Sequence, residues 1–131
     1  MSWQAYVDVQ LLATGKIKEA AILALANTGV WAQSAGFNAN TQETIRTRIN
    51  ALNAGGGETG GITVGGIKYM FTRATDRSLY GTKKLDDGPH GIVVTKTTQA
   101  FIVAKYSPPI QAGEATPVVE GLADYLSSVG Y

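Results

Sequence analysis

Gly55-Gly56-Gly57-Glu58-Thr59-Gly60 carries the G-x-G-x-x-G spacing with which dinucleotide-binding proteins bring a pyrophosphate against the amides of a helix N-terminus. That chemistry needs a strand before the glycines and a helix after them. Here a helical pattern precedes the run and a β-rich pattern follows it, so the run reads as a flexible connector. The single histidine, His90, sits between Pro89 and Gly91 in a turn-forming stretch, and zero cysteines leave it without the co-ligands of a zinc site. No serine stands in a G-x-S-x-G setting, and the base on offer to one is that same histidine. Asp86 and Asp87 could hold a cation or divide acid and base roles, yet beside Gly88-Pro89 they more simply make a solvated turn. No catalytic constellation survives, and the sequence reads as a binding protein rather than an enzyme, without cofactor or metal.

The elements that must position a binding site come from a chain of 131 residues, enough for one domain with one core. A hydrophobic content of 44%, a charged content of 16% and 16 glycines exclude a disordered tail, a coiled coil and a collagen-like repeat. The longest apolar run, Ala20 to Ala26, is seven residues, against the ~20 of a membrane-spanning helix. The opening Met1-Ser2-Trp3-Gln4-Ala5-Tyr6 lacks a secretion signal, so a cytoplasmic, non-transmembrane protein is expected.

Ser2 is a good N-cap, and Trp3, Tyr6, Val7 and Leu11 recur at helical spacing until Gly15, predicting a helix over 2–13. Ile17 to Leu25 and Val30 to Ser34 read as two strands joined through Asn27-Thr28-Gly29. Asn40 with Glu43 resembles a capping box, and Ile45, Ile49 and Leu52 mark a second helix ending near Asn53. Five β-rich runs follow: Ile62–Val64, Ile67–Arg73, Ser78–Lys83, Gly91–Thr97 and Gln99–Tyr106. Pro108 and Pro109 end the last of them, and Val118, Val119, Leu122, Tyr125, Leu126 and Val129 describe a closing helix. The expected fold is α+β: one antiparallel sheet of about seven strands covered by helices.

Net charge is +1, which gives no reason to expect nucleic acid. Its distribution is uneven, because residues 65–111 hold seven basic side chains against three acidic and the last twenty residues hold three acids and no base. Eleven aromatics are present, and several lie near the chain ends: Trp3 and Tyr6 in the first helix, Tyr125 and Tyr131 in or after the last. Terminal helices packed side by side would line one groove with them. Indole and phenol combine flat apolar faces with N–H and O–H donors, which suits a polyproline II ligand whose carbonyls lack internal partners. The alternative is that these aromatics contribute to the core.

Ser2-Trp3-Gln4-Ala5-Tyr6-Val7-Asp8, Val30-Trp31-Ala32, Gly65-Gly66-Ile67-Lys68-Tyr69-Met70, Asp76-Arg77-Ser78-Leu79-Tyr80-Gly81, Gln111-Ala112-Gly113-Glu114-Ala115 and Ala123-Asp124-Tyr125-Leu126 resemble the profilins, most of all the short profilins of fungi, plants and amoeboid organisms. The resemblance covers nearly the whole chain. It implies a profilin-like fold, with the terminal helices together on one sheet face and further helical segments on the other, in a monomer at the cytoskeleton. It also implies binding of monomeric actin, control of filament assembly by sequestering or delivering monomers, and faster nucleotide exchange on actin. Proline-rich proteins such as formins would bind at Trp3, Tyr6, Trp31, Tyr125, Leu126 and Tyr131. Actin would bind at Lys68, Met70, Thr72, Arg73, Lys84, Ile110, Gln111, Gly113, Thr116 and Pro117. Several relatives have Lys in place of Pro117, and a proline there predicts a later helix start and a weaker actin contact. Weak binding of phosphoinositide lipids would use Arg73, Arg77, Lys83 and Lys84. The alternative function is a phosphoinositide-binding regulator at the membrane surface with weak actin binding.

Overall fold

The structure is a computed structural model that describes residues 3–24, 30–34, 61–64, 67–75 and 77–131. The N-terminal helical segment begins as an α-helix over Trp3–Ala5 (α1), continues in wider π-type turns over Tyr6–Leu11 and tightens to a 3-10 turn over Leu12–Thr14. It ends where the sequence places its stop, at Gly15, whose φ of 77° is left-handed and open to glycine at no steric cost. Ser2 and the predicted helix over 40–53 lie outside the described residues, as does the glycine run.

Seven strands follow among the described residues: β1 (Glu19–Ala24), β2 (Val30–Gln33), β3 (Gly61–Val64), β4 (Ile67–Ala74), β5 (Ser78–Leu85), β6 (Gly88–Lys96) and β7 (Ala100–Tyr106). They form one antiparallel sheet in the order β2-β1-β7-β6-β5-β4-β3. His90 is thus a strand residue opposite Lys83, not a turn residue. The turn is confined to Asp86-Asp87, since a proline at the edge of the ladder still permits extended backbone on either side. The His90 ring is held by Asp87 at 2.8 Å.

The closing helix α2 (Ala112–Ser128) starts well before Pro117, correcting the later start expected from that proline. Gln111 and Glu114 form a reciprocal capping box, which satisfies the first amides and fixes the start ahead of the proline. Glu114 is further held by Lys16 at 2.7 Å, tying the helix start to the chain after the N-terminal segment.

Alternation along the strands gives the sheet two buried faces. Ala20, Ile22, Val93, Ile102 and Ala104 face the terminal helices and pack with Val7, Leu11, Val119, Leu122, Ala123 and Leu126. Ala21, Leu23, Leu79, Ile92, Val94, Phe101 and Val103 form a second cluster with Tyr69 on the opposite face. One close approach requires glycine: a Cβ on Gly91 would stand 2.1 Å from the Tyr106 ring, which lies across it.

Two β-bulges modify this alternation. In β2, Ala32 pairs with Ile22 and Val30 with Leu23, so Trp31 is the extra residue and packs with Ala32 on the helix-bearing side. In β4, Phe71 pairs with Gly81 and Arg73 with Tyr80, so Thr72 is extra and Arg73 moves to the face that carries Met70.

Candidate functional site

The N-terminal segment packs on β1 and β2 and α2 on β6 and β7, with the two helices side by side. Their outward side chains make an aromatic cleft. Trp3 is its centre, with ring centroids 4.6 Å from Trp31, 5.0 Å from Tyr131 and 5.4 Å from Tyr6. Tyr125 extends the cleft from Tyr6 at 6.0 Å. The tilted and edge-on ring geometries are favourable ones for aromatic pairs. Tyr125 is 50% exposed and Tyr131 44%, whereas Trp3, Tyr6 and Trp31 are half-buried against the core. Leu126 is fully buried, so it supports the cleft from beneath rather than lining it. Its place at the helical spacing of Val119, Leu122 and Ala123 puts it on the inward stripe of α2.

The cleft is pinned by residues outside the predicted sites. Gln4 donates from Nε2 to the Gln33 carbonyl at 2.9 Å, fastening the first helical turn to β2. The Thr97 hydroxyl donates to the Tyr131 carbonyl at 2.7 Å, and the Gln99 side chain donates to that of Gly130 at 2.6 Å. A hydrogen bond with the Tyr125 side chain raises the Tyr6 phenol above its ordinary pKa, so Tyr6 meets a ligand as a neutral phenol near pH 7.

A second surface lies on the same side of the sheet, past α2. Lys68 and Met70 share a face of β4, and the bulge adds Arg73 to it. Met70 is 72% exposed. Two residues from Thr82, which pairs with Met70, Lys84 also points to this side. Thr72 uses its hydroxyl to bond the Tyr80 carbonyl at 3.1 Å. The start of α2 stands on the same side of the sheet, with Gln111, Gly113 and Pro117 exposed and Ile110 and Thr116 half-buried. Lys68, Met70, Arg73 and Lys84 thus share one open face of β4 and β5.

The expected lipid residues are not gathered. Lys83 lies opposite His90 on the other sheet face from Lys84. Arg77 is committed to α2, 2.7 Å from Glu120 and 2.8 Å from Asp124. Arg73 lies over the Tyr80 ring. Lys84 and Arg73 alone of the four share an open face, too little for the clustered charge that a polyanionic headgroup rewards.

A helix-backed antiparallel sheet with an aromatic cleft between terminal helices defines a small binding module. The family model for Profilin matches residues 1–131, and the chain belongs to that family. It is 43% identical to the profilin of Saccharomyces cerevisiae over 131 residues, covering all of both chains. The structure of Acanthamoeba castellanii profilin IB is similar at a TM-score of 0.85 and 41% identity, over 99% of this chain and 100% of that one. Mouse profilin IIa, solved in complex with a double repeat from the FH1 domain of mDia1, shares the fold at a TM-score of 0.76 and 20% identity, over the full length of both. Members of this family are actin-binding regulators, not enzymes.

Proposed function

We propose that the protein binds monomeric actin through the β4–β5 strip and the start of α2, and proline-rich segments in the aromatic cleft, and so regulates filament assembly in the cytoplasm. The observation that carries this reading is the separation of the two surfaces: α2 contributes its start to one and Tyr125 to the other, which lets a single copy hold both partners. A neighbour of the same fold is bound to an FH1 repeat, and the cleft's flat rings suit a proline-rich repeat such as those of formins. The open strip is mixed apolar and basic, as the centre and rim of a protein interface are. Dispersal of Arg77 and Lys83 away from Lys84 favours actin over the membrane-surface alternative.

The test is sedimentation with actin monomers, with anionic vesicles and with a ten-proline peptide. Binding to actin at 1:1 with an affinity of about micromolar or better, undisturbed by the peptide, is the expected result. Binding to vesicles without binding to actin overturns it in favour of the lipid reading.

A further inference from the structure

The chain holds two sulfur atoms, both thioethers, at Met1 and Met70, and no cysteine. Met70 lies in mid-strand on β4 and, at 72% exposed, is the most open of the large apolar side chains among the described residues. Its register explains why. Opposite it on β3 is a glycine, Gly61, and opposite it on β5 is Thr82, so neither flanking strand sets a large side chain against it. Three cations, Lys68, Arg73 and Lys84, share its face. Lys68 stands two residues earlier on β4, the bulge at Thr72 brings Arg73 to the same side, and Lys84 is the diagonal neighbour on β5, two residues past Thr82. None of the three is ion-paired among the described residues.

An open thioether reacts with a peroxide by direct oxygen transfer. The sulfur lone pair attacks one peroxide oxygen, the O–O bond breaks as the S–O bond forms, and hydrogen peroxide leaves as water. Sulfur gives up two electrons and becomes a sulfoxide, which methionine sulfoxide reductases return to the thioether. On this strip the product differs from the reactant in two ways that bear on a partner. An apolar group at the centre of the surface becomes polar and chiral, where a protein interface rewards burial of apolar atoms. The new oxygen is also a strong acceptor among unpaired ammonium and guanidinium donors, so it competes with a partner's carboxylates for them.

We propose that Met70 is a reversible oxidation site, and that conversion of its thioether to the sulfoxide by hydrogen peroxide loosens the partner held on the β4–β5 strip. This rests on the proposed reading of that strip as an actin-binding surface. With no cysteine to form a sulfenate or a disulfide, Met70 is the sulfur through which the folded surface answers a peroxide. The cleft residues Trp3, Tyr6, Trp31, Tyr125 and Tyr131 carry none. Oxidation therefore acts on one partner surface and spares the other, leaving a protein that still holds a proline-rich segment but delivers no monomer.

The test treats the full chain with hydrogen peroxide, removes the peroxide, and titrates the product with actin monomers that never met it. Mass spectrometry of proteolytic fragments should place one added oxygen on Met70, and actin affinity should fall at least about fivefold. Melting temperature and affinity for a ten-proline peptide should stay as they were. Methionine sulfoxide reductases for both epimers should restore actin binding. Each variant is compared with its own untreated form: Met70→Leu should show no peroxide-dependent fall, and Met70→Gln, polar without sulfur, should bind actin about as weakly before treatment as the oxidised parent does. An oxygen on Met70 that leaves actin affinity unchanged, a Met70 that stays unoxidised while free methionine in the same solution is consumed, or a fall that persists in Met70→Leu overturns the proposal and leaves the actin reading standing. Failure of the untreated parent to bind actin overturns that reading and the oxidation site's role with it.

Discussion

The Tyr80 hydroxyl donates to the Glu120 carboxylate at 2.5 Å, while Arg73 lies 4.3 Å from the centroid of the same ring. One tyrosine thus joins α2 to the strip of exposed residues on β4. The same carboxylate accepts from the Ser78 hydroxyl at 2.7 Å and from Arg77 Nε at 3.0 Å. Glu120→Ala would remove the acceptor these three donors share, leaving Arg77 with Asp124 and Ser78 with Thr95. We expect a loss of about 2–3 kcal/mol in denaturant unfolding. A loss below about 0.5 kcal/mol, the range of an exposed ion pair, would show that water replaces the carboxylate.

Glu120 also makes a pH prediction. Burial pushes its carboxyl up, but the hydrogen bonds from Tyr80, Ser78 and Arg77 and the Arg77 charge outweigh it, leaving the group below its ordinary 4.5. A carboxyl depressed on folding contributes stability in full above the unfolded value, and that contribution is lost as pH falls through the folded one. Melting temperature should therefore fall with acid below about pH 4.5, and Glu120→Gln should flatten the fall. Asp87, bonded to His90, and Glu114, bonded to Lys16, are held low as well, so some acid sensitivity should remain in the variant.

Arg73 and Arg77, four residues apart, should behave as different kinds of residue. Arg73 is exposed on the open strip, and Arg77 is half-buried in its pairs with Glu120 and Asp124. Arg73→Glu should weaken actin binding by about tenfold or more with little change in melting temperature. Arg77→Ala should lower stability by about 1–2 kcal/mol while the folded protein binds actin as before. Titration calorimetry paired with a melt of each variant separates the two roles, and the reverse pattern would remove Arg73 from the proposed surface.

Much of this was legible in the sequence. Strand alternation and turn residues located the seven strands, and the terminal aromatics at helical spacing indicated a shared groove. The bulges were not legible. Strict alternation places Trp31 and Ala32 on opposite faces, and Arg73 opposite Met70; no glycine or proline stands within either bulge to mark it, because the irregularity is set by pairing to β1 and β5. Helical spacing likewise made Leu126 a neighbour of Tyr125 without saying that it faces inward. The basic run at 65–111 suggested one electropositive face, but its members divide between two sheet faces and an ion-pair network. The helix start was not legible either: glutamine is not a favoured N-cap residue, so the spacing of Gln111 and Glu114 did not mark a capping box ahead of Pro117.

Gly91→Ala tests the sheet under the helices. The added Cβ would fall 2.1 Å from Tyr106 Cζ and 2.2 Å from its hydroxyl oxygen, so the ring must leave its place over β6. Tyr106 is 5% exposed and has little room to move. A loss of about 1–3 kcal/mol is expected, the range for overpacking a core, with peptide binding by the folded protein retained. A neutral substitution would mean that the ring has a second rotamer available.

Trp3 carries the last prediction, because its two readings differ in what a single substitution does. As a core residue it would cost about 3–5 kcal/mol of stability on replacement by Ala, and peptide binding would fall only through unfolding. The structure places it between the two cases: it packs against the core and also touches Tyr6, Trp31 and Tyr131 in the cleft. Because Trp3 is only half-buried, Trp3→Ala should cost about 1–2 kcal/mol, well below the full core value. Loss of the central ring should reduce affinity for a ten-proline peptide at least about tenfold, since the remaining rings lose both a stacking face and the neighbour that orients them. Indole fluorescence supplies the companion measurement: the emission of Trp3 and Trp31 should shift on peptide addition, and Tyr6→Ala should reduce the shift. A Trp3→Ala protein that is strongly destabilised but binds the peptide with full affinity when folded would remove Trp3 from the site and return it to the core.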